Sequence, residues 1–192
     1  HLCFFLDNYN SEDINQIDEY EWASFNISLT RNKLLEKVFG IQNVIKETNP
    51  DVVLFVEIGG KESLENFNKY FLNSTYKVFI LPTNSNRGIE IGYLVKNKYE
   101  ATIRSHKEHK LPNRERFSRD VPELRVSLNG KLKIIFLGVH LKSKLDKEKK
   151  DFEGRTKRSG EIKGLKEIFL NLRDQFEKIP IILAGDFNGV VQ

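Results

Sequence analysis

Asp186 and Asn188 follow the apolar run at 181–184, within Gly185-Asp186-Phe187-Asn188. Side chains on a strand alternate with period two, so an Asp and an Asn two positions apart point the same way. That pair suits attack on phosphorus: the carboxylate can orient or deprotonate a water, and the amide can donate to a phosphate oxygen. The same residue types also form turns at strand ends, so the motif alone carries two readings. A second apolar run, 51–57, closes on Glu57 before a glycine pair. Such a carboxylate is ionised in a wet cleft, paired or metal-bound, because leaving it buried and unpartnered is costly. The bland alternative is a strand that simply surfaces there. A third run, 132–143, ends in His140-Leu141-Lys142-Ser143, a histidine followed by a cation and a hydroxyl. One histidine at a strand end is commonly just hydrogen-bonded. Three such strand ends together point to a site, since sites gather at strand ends in sheets and sandwiches.

Four segments in order carry a family resemblance: Asn49 through Glu57, Asn86-Arg87-Gly88 through Val95, Gly138-Val139-His140-Leu141-Lys142-Ser143, and Ala184-Gly185-Asp186-Phe187-Asn188. They resemble the ordered motifs of the endonuclease/exonuclease/phosphatase (DNase I-like) superfamily, which includes DNase I, abasic-site endonucleases, inositol-polyphosphate 5-phosphatases and neutral sphingomyelinases. The segments Leu6-Asp7-Asn8-Tyr9, Arg116-Phe117-Ser118-Arg119-Asp120 and His140 to Asp146 are similar to those of a bacterial subgroup. The resemblance implies that Glu57 and Asp7 hold a divalent ion, Mg²⁺ or Mn²⁺, against the scissile phosphate. Oxygen ligands suit such a hard cation, which keeps much of its water. It implies that Asp186 orients the attacking water, Asn188 stabilises the pentacovalent phosphorus, and His140 contacts phosphate or protonates the leaving group. Arg87, Arg119 and Lys142 are the candidates for gripping phosphate oxygens; for each arginine, a surface ion pair is the other reading.

Two departures from the family pattern stand out. Phe5 occupies the place of the Asn that family members carry in a first Asn-x-Asp or Asn-x-Glu strand; a second alignment, on Ala23 to Asn26, restores Asn but puts Ser28 in the acidic slot. The further Asp and the final Asp-His pair of the family have no counterpart before Gln192. The functional expectation is a metal-dependent phosphodiesterase, nuclease-like. A phosphatase, a phospholipase-type phosphoesterase or a non-catalytic phosphate-binding module are the alternatives.

Composition fits an ordinary globular chain, with 39% hydrophobic and 30% charged residues, and no apolar run approaches a membrane span. A net charge of +4 and a pI near 9.0 favour an anionic partner, nucleic acid first. His1 at the start and the absence of methionine lead us to expect a fragment or processed form. A single cysteine, Cys3, forbids an internal disulfide and is expected to be a small buried hydrophobe. It fits the cytoplasm without excluding secretion, and a monomer is expected.

Positioning these residues requires strands ending at one place. Periodicity predicts a helix over 30–48 with Leu34, Leu35, Val38, Ile41, Val44 and Ile45 inward, and another over 61–72. A third is predicted over 158–176 with Ile162, Leu165, Ile168, Phe169 and Leu172 inward. Strands are expected at 76–81 and 89–95, joined by a loop rich in Asn and Ser, and at the three motif runs, the 51–57 run being buried on both faces. The cation-rich stretch 107–119 reads as a basic loop for a polyanion, with Phe117 free to pack on a sugar or base, or as a plain solvated loop. Alternating strands and helices argue for sheets covered by helices. The resemblance sharpens this to one α/β domain over 1–192, a four-layer α/β/β/α sandwich of two mixed sheets lacking the C-terminal part of the fold. An exposed, aggregation-prone edge beside the 181–186 strand is expected.

Overall fold

The computed structural model describes residues 2, 4, 14–26, 32–85, 88–144 and 151–189. Asp7, Arg87, Cys3 and Phe5 lie outside them, as does the 145–150 part of the His140 loop.

A turn of 3-10 helix at Ile14–Gln16 leads into α1 (Glu19–Ser24), capped by Asp18, whose side chain accepts from Glu21 N at 2.7 Å. Then follow α2 (Leu35–Thr48), β1 (Val52–Ile58), α3 (Lys61–Leu72), β2 (Tyr76–Ile80), β3 (Glu90–Lys96), β4 (Glu100–Arg104), β5 (Glu123–Leu128), β6 (Lys131–His140), α4 (Arg155–Gln175) and β7 (Ile181–Asp186). Asn49 and Asn73 close α2 and α3 in the left-handed conformation, which Asn tolerates and which satisfies orphan carbonyls.

Two sheets form, in the orders β1-β3-β2 and β4-β5-β6-β7. The first is antiparallel among the described strands, with a single parallel bridge between Leu2 and Ile58; the second is mixed, β6 and β7 running parallel. Three buried clusters mark the three interfaces of a four-layer α/β/β/α sandwich. Trp22, Val38, Leu64, Phe67 and Phe71 pack the first helices on one sheet. Leu54, Tyr93, Leu124, Val126 and Phe136 fill the space between sheets. Leu137, Val139, Leu165, Ile168 and Leu172 join α4 to the second sheet.

Several expectations need correction. The first long helix starts at Leu35, and Leu34 is its exposed N-cap. Val44 and Ile162 also face solvent. The inward stripe of α2 runs Leu35, Val38, Gln42, Ile45, with the Gln42 amide satisfied by Phe71 O at 2.6 Å. That of α4 runs Glu161, Gly164, Leu165, Ile168, Leu172, so the position four before Leu165 is a carboxylate and not Ile162. β1 is only half-buried over 52–57, because it lies at one end of its sheet's order. β7 is likewise an edge strand among the described residues, with Ile182 43% exposed.

Candidate active site

The two sheets bring the motif residues to one end of the sandwich. β1 ends where β3 begins, Ile58 pairing with Glu90. β5 begins where β6 ends, Glu123 pairing with Leu137, and β7 ends beside β6, His140 pairing with Asp186. The sheets are locked in this relative register by Gly138. A Cβ there would come within 2.8 Å of both Tyr93 Oη and Ile91 Cγ2 and within 3.3 Å of Leu54 Cδ1. Tyr93 Oη also crosses between the sheets, donating to Pro122 O at 2.9 Å, and Gly138 N donates to the same oxygen at 3.0 Å. The C-terminal ends of β1, β6 and β7 therefore share one rim.

On that rim, the parallel register sets the His140 ring beside the Asp186 carboxylate, Nε2 to Oδ2 being 4.0 Å. His140 is nearly buried and Asp186 half-exposed, so a rigid imidazole faces a solvated carboxylate. Gly185 makes the approach possible. It has φ of +137°, and a Cβ would collide with the Val139 carbonyl. Asn188, at φ of +49°, turns back. Its backbone N donates to Asp186 Oδ1 at 2.8 Å, and its Nδ2 donates to Leu141 O at 2.9 Å. Thus Asp186-x-Asn188 forms a turn, and the same turn keeps the two side chains of the candidate pair together at the strand end. One amide hydrogen of Asn188 holds the loop, which leaves the other for a ligand.

Glu57 sits on an irregularity of β1 between Val56 and Ile58, with φ of +61°. A non-glycine residue there is strained, and such strain concentrates at functional sites. The strand thus does not end at Glu57 but bulges there. Arg119 is half-buried, and its Nη1 donates to Leu141 O at 3.1 Å and to His140 O at 3.4 Å. Lys142 joins the same network through its backbone: its N donates to Glu161 Oε2 at 2.6 Å, and its carbonyl accepts from Arg158 Nη1 at 3.0 Å.

The stretch 105–120 differs from its expected role. Phe117 is buried against α4 with Leu111, where Gly160 and Gly164 leave room, so it is not available for stacking on a base. Within the stretch, Arg116 pairs with Glu108 at 2.6 Å, and Glu115 pairs with Lys157 of α4 at 2.7 Å. The segment is tied to the 81–89 loop by Asn84 Nδ2, which donates to Lys107 O at 2.9 Å. Acids that the sequence reading passed over as site residues lie on this rim. Asp120 is fully buried, accepting from His106 N at 2.8 Å and Val121 N at 2.7 Å, and its burial pushes the carboxyl pKa up. Glu90, at the start of β3, is likewise pushed up by burial, with the Asp120 charge adding to it. Its position two residues after Gly88 in the Arg87 motif was the available signal.

Among the described residues, no three His, Cys, Asp or Glu side chains group as a metal cage. The donor chemistry nonetheless fits a hard cation that takes one or two carboxylates and keeps its waters, with Glu57 as the described donor. No described helix is long and apolar enough to cross a membrane.

No protein-family model matches the chain, and no curated protein matches it. Solved structures do. Truncated TDP2 of Caenorhabditis elegans aligns with a TM-score of 0.61 at 19% identity, over 81% of this chain and 56% of its own. The human Nocturnin catalytic domain with bound sulfate anion gives 0.61 at 15% identity, over 82% and 58%. ANGEL2, described as a 2',3'-cyclic phosphatase and bound to adenosine-2',3'-vanadate, gives 0.52 at 18% identity, over 78% and 43%. The chain thus spans about half the length of these proteins, from 43% to 58%. They are members of the DNase I-like endonuclease/exonuclease/phosphatase superfamily, and the chain has their fold.

Proposed function

On the premise of a DNase I-like fold, we propose that this chain carries the phosphate-handling half of a divalent-metal-dependent phosphoesterase, a phosphodiesterase of nuclease type. The observation that carries the reading is the placing of the His140 ring beside an Asp186 that is hydrogen-bonded to Asn188, at the rim where β1 bulges at Glu57. Two of the fold's relatives hold a sulfate or a vanadate ester, both of which resemble phosphate in charge and shape.

Asp186, half-exposed, orients a water and accepts its proton as attack proceeds. Asn188 offers its remaining amide hydrogen to the phosphate oxygen on which charge grows. His140, beside Asp186, is the group that contacts phosphate or gives a proton to the leaving oxygen. Arg119 and Lys142 add positive charge at the same loop. Glu57, with Asp7, would hold Mg²⁺ or Mn²⁺, which when bound neutralises charge on the phosphate. A net charge of +4 favours a polyanionic substrate, and nucleic acid is our choice.

The test is hydrolysis of bis(p-nitrophenyl) phosphate and of single- and double-stranded oligonucleotides in Mg²⁺ or Mn²⁺, with and without EDTA. Asp186→Ala is expected to lower kcat by at least ~10²-fold, as loss of a general base does. Its Tm should fall only slightly, since the half-exposed side chain gives up one hydrogen bond, that from Asn188 N. Equal rates for mutant and parent would defeat the assignment.

A further inference from the structure

One peptide unit of the site is held at both ends by opposite charges. The carbonyl oxygen of Leu141 accepts from Arg119 Nη1 at 3.1 Å and from Asn188 Nδ2 at 2.9 Å. The N–H of the same unit, that of Lys142, donates to Glu161 Oε2 at 2.6 Å. The second oxygen of that carboxylate accepts from Ser118 N at 2.8 Å, one residue before Arg119. Glu161 itself is 1% exposed, on the inward stripe of α4. Arg158, one turn earlier, fixes the neighbouring carbonyl of Lys142 from the same helix.

A carboxylate in this place does what a neutral side chain of the same shape cannot. Both of its oxygens accept, so two backbone N–H groups from two different loops converge on one anion, while glutamine offers one acceptor and one donor. Bonds to an ionised acceptor are also roughly twice as strong as neutral ones. The chain of dipoles runs from the Arg119 guanidinium through the Leu141–Lys142 peptide to the Glu161 carboxylate. Each bond in it therefore polarises the next. Rotation of that peptide would move the shared acceptor of Arg119 and Asn188.

We propose that Glu161 is a positioning residue of the phosphate site: from α4 it fixes the peptide whose carbonyl orients Arg119 and Asn188 together. Its catalytic consequence rests on the phosphoesterase reading above; its structural consequence does not. Glu161 touches neither water nor phosphate in this scheme. It acts through the Leu141–Lys142 peptide.

Glu161→Gln tests this in the whole chain, by NMR of the Asn188 side-chain amide and the Arg119 Nε–H and by steady-state kinetics on bis(p-nitrophenyl) phosphate with Mg²⁺. Gln42 Nε2, which donates to Phe71 O far from the site, is the reporter of intact packing. The Asn188 and Arg119 signals are expected to move while that of Gln42 stays. In an active parent, kcat should fall about tenfold with KM within about twofold, as a small misplacement of binding groups does. Unmoved Asn188 and Arg119 signals would overturn the proposal even if the Ser118 and Lys142 amides shift, because Glu161 would then only brace backbone. An unchanged kcat in an active parent would overturn it too. Should the parent hydrolyse nothing, the phosphoesterase reading fails by itself, and the two side-chain signals alone decide the role of Glu161. If Glu161→Gln does not fold, Glu161→Asp, which keeps the charge and shortens the reach, is read by the same signals.

Discussion

Glu123 shows how single groups on the rim are tuned. Its side chain is buried beside Asp120, and burial alone would raise its pKa; hydrogen bonds from His106, at 2.9 Å, and from Arg125 outweigh that and hold it below the ordinary carboxylate range. A carboxyl whose pKa is depressed on folding contributes stability that is present above its unfolded value, about 4.3. That contribution is lost as pH falls through the folded one. Arg125→Gln should therefore move the acid-unfolding midpoint, followed by circular dichroism, to higher pH. A midpoint that stays put would show that the pair does not matter to folding. The legible residues were those whose type clashed with their surroundings: Glu57, His140 and Asp186 each interrupt an apolar run. Glu161 interrupts a helical stripe in the same way, but Ile162 beside it offered an apolar alternative and drew the stripe one position off. Arg119 was legible as a candidate for the site, whereas its carbonyl partners, brought together over 21 and 22 positions, were not.

At the level of elements, strand geometry at the ends of β6 and β7 decides whether the site exists. Gly185 combines a left-handed φ with direct contact against the Val139 carbonyl, backbone on backbone, so no side-chain adjustment can relieve a Cβ. Gly185→Ala should cost more than ~3 kcal/mol, beyond the ordinary range of point substitutions, and lower Tm accordingly. A near-parental Tm would mean that β7 can slide away from β6. Gly164→Ala should be far milder. Its Cβ would meet side-chain atoms only, the tip of buried Leu111 at 2.6 Å and Phe117 Cζ at 3.2 Å, while Ala gains ~1 kcal/mol of helix propensity over Gly. Helices and strands were legible because their apolar periods differ, and α3 falls on 61–72 as its spacing predicts. The half-burial of β1 and β7 was not legible, since a continuous apolar run looks alike in a central strand and in an edge strand. Phe117 was misjudged for a related reason: an aromatic among cations looks exposed until α4 is seen to cover it.

For the whole molecule, the two edge strands matter most. β1 and β7 end the two sheet orders among the described residues, Leu2 bridging the far end of β1 at Ile58, and Ile182 and Phe187 on the β7 side are 43% and 40% exposed. Beside β1, a groove of about 560 Å³ is lined by Gly40, Ile41, Val44, Val53 and Phe55. Unpaired strand edges with apolar side chains template association. Ile182→Lys should accordingly lower the aggregated fraction measured by light scattering at a fixed concentration. Identical scattering would locate the sticky surface elsewhere.

The Tyr93 hydroxyl, bridging the sheets to Pro122, gives the sandwich an optical gauge. Burial drives this phenol far above the ordinary tyrosine value, so it cannot ionise while the layers stay closed. Its contribution to stability is complete below about pH 10 and is lost as pH climbs through the raised folded value. In an alkaline titration followed by tyrosinate absorbance, Tyr93 should contribute a delayed, slow step timed by the parting of the sheets.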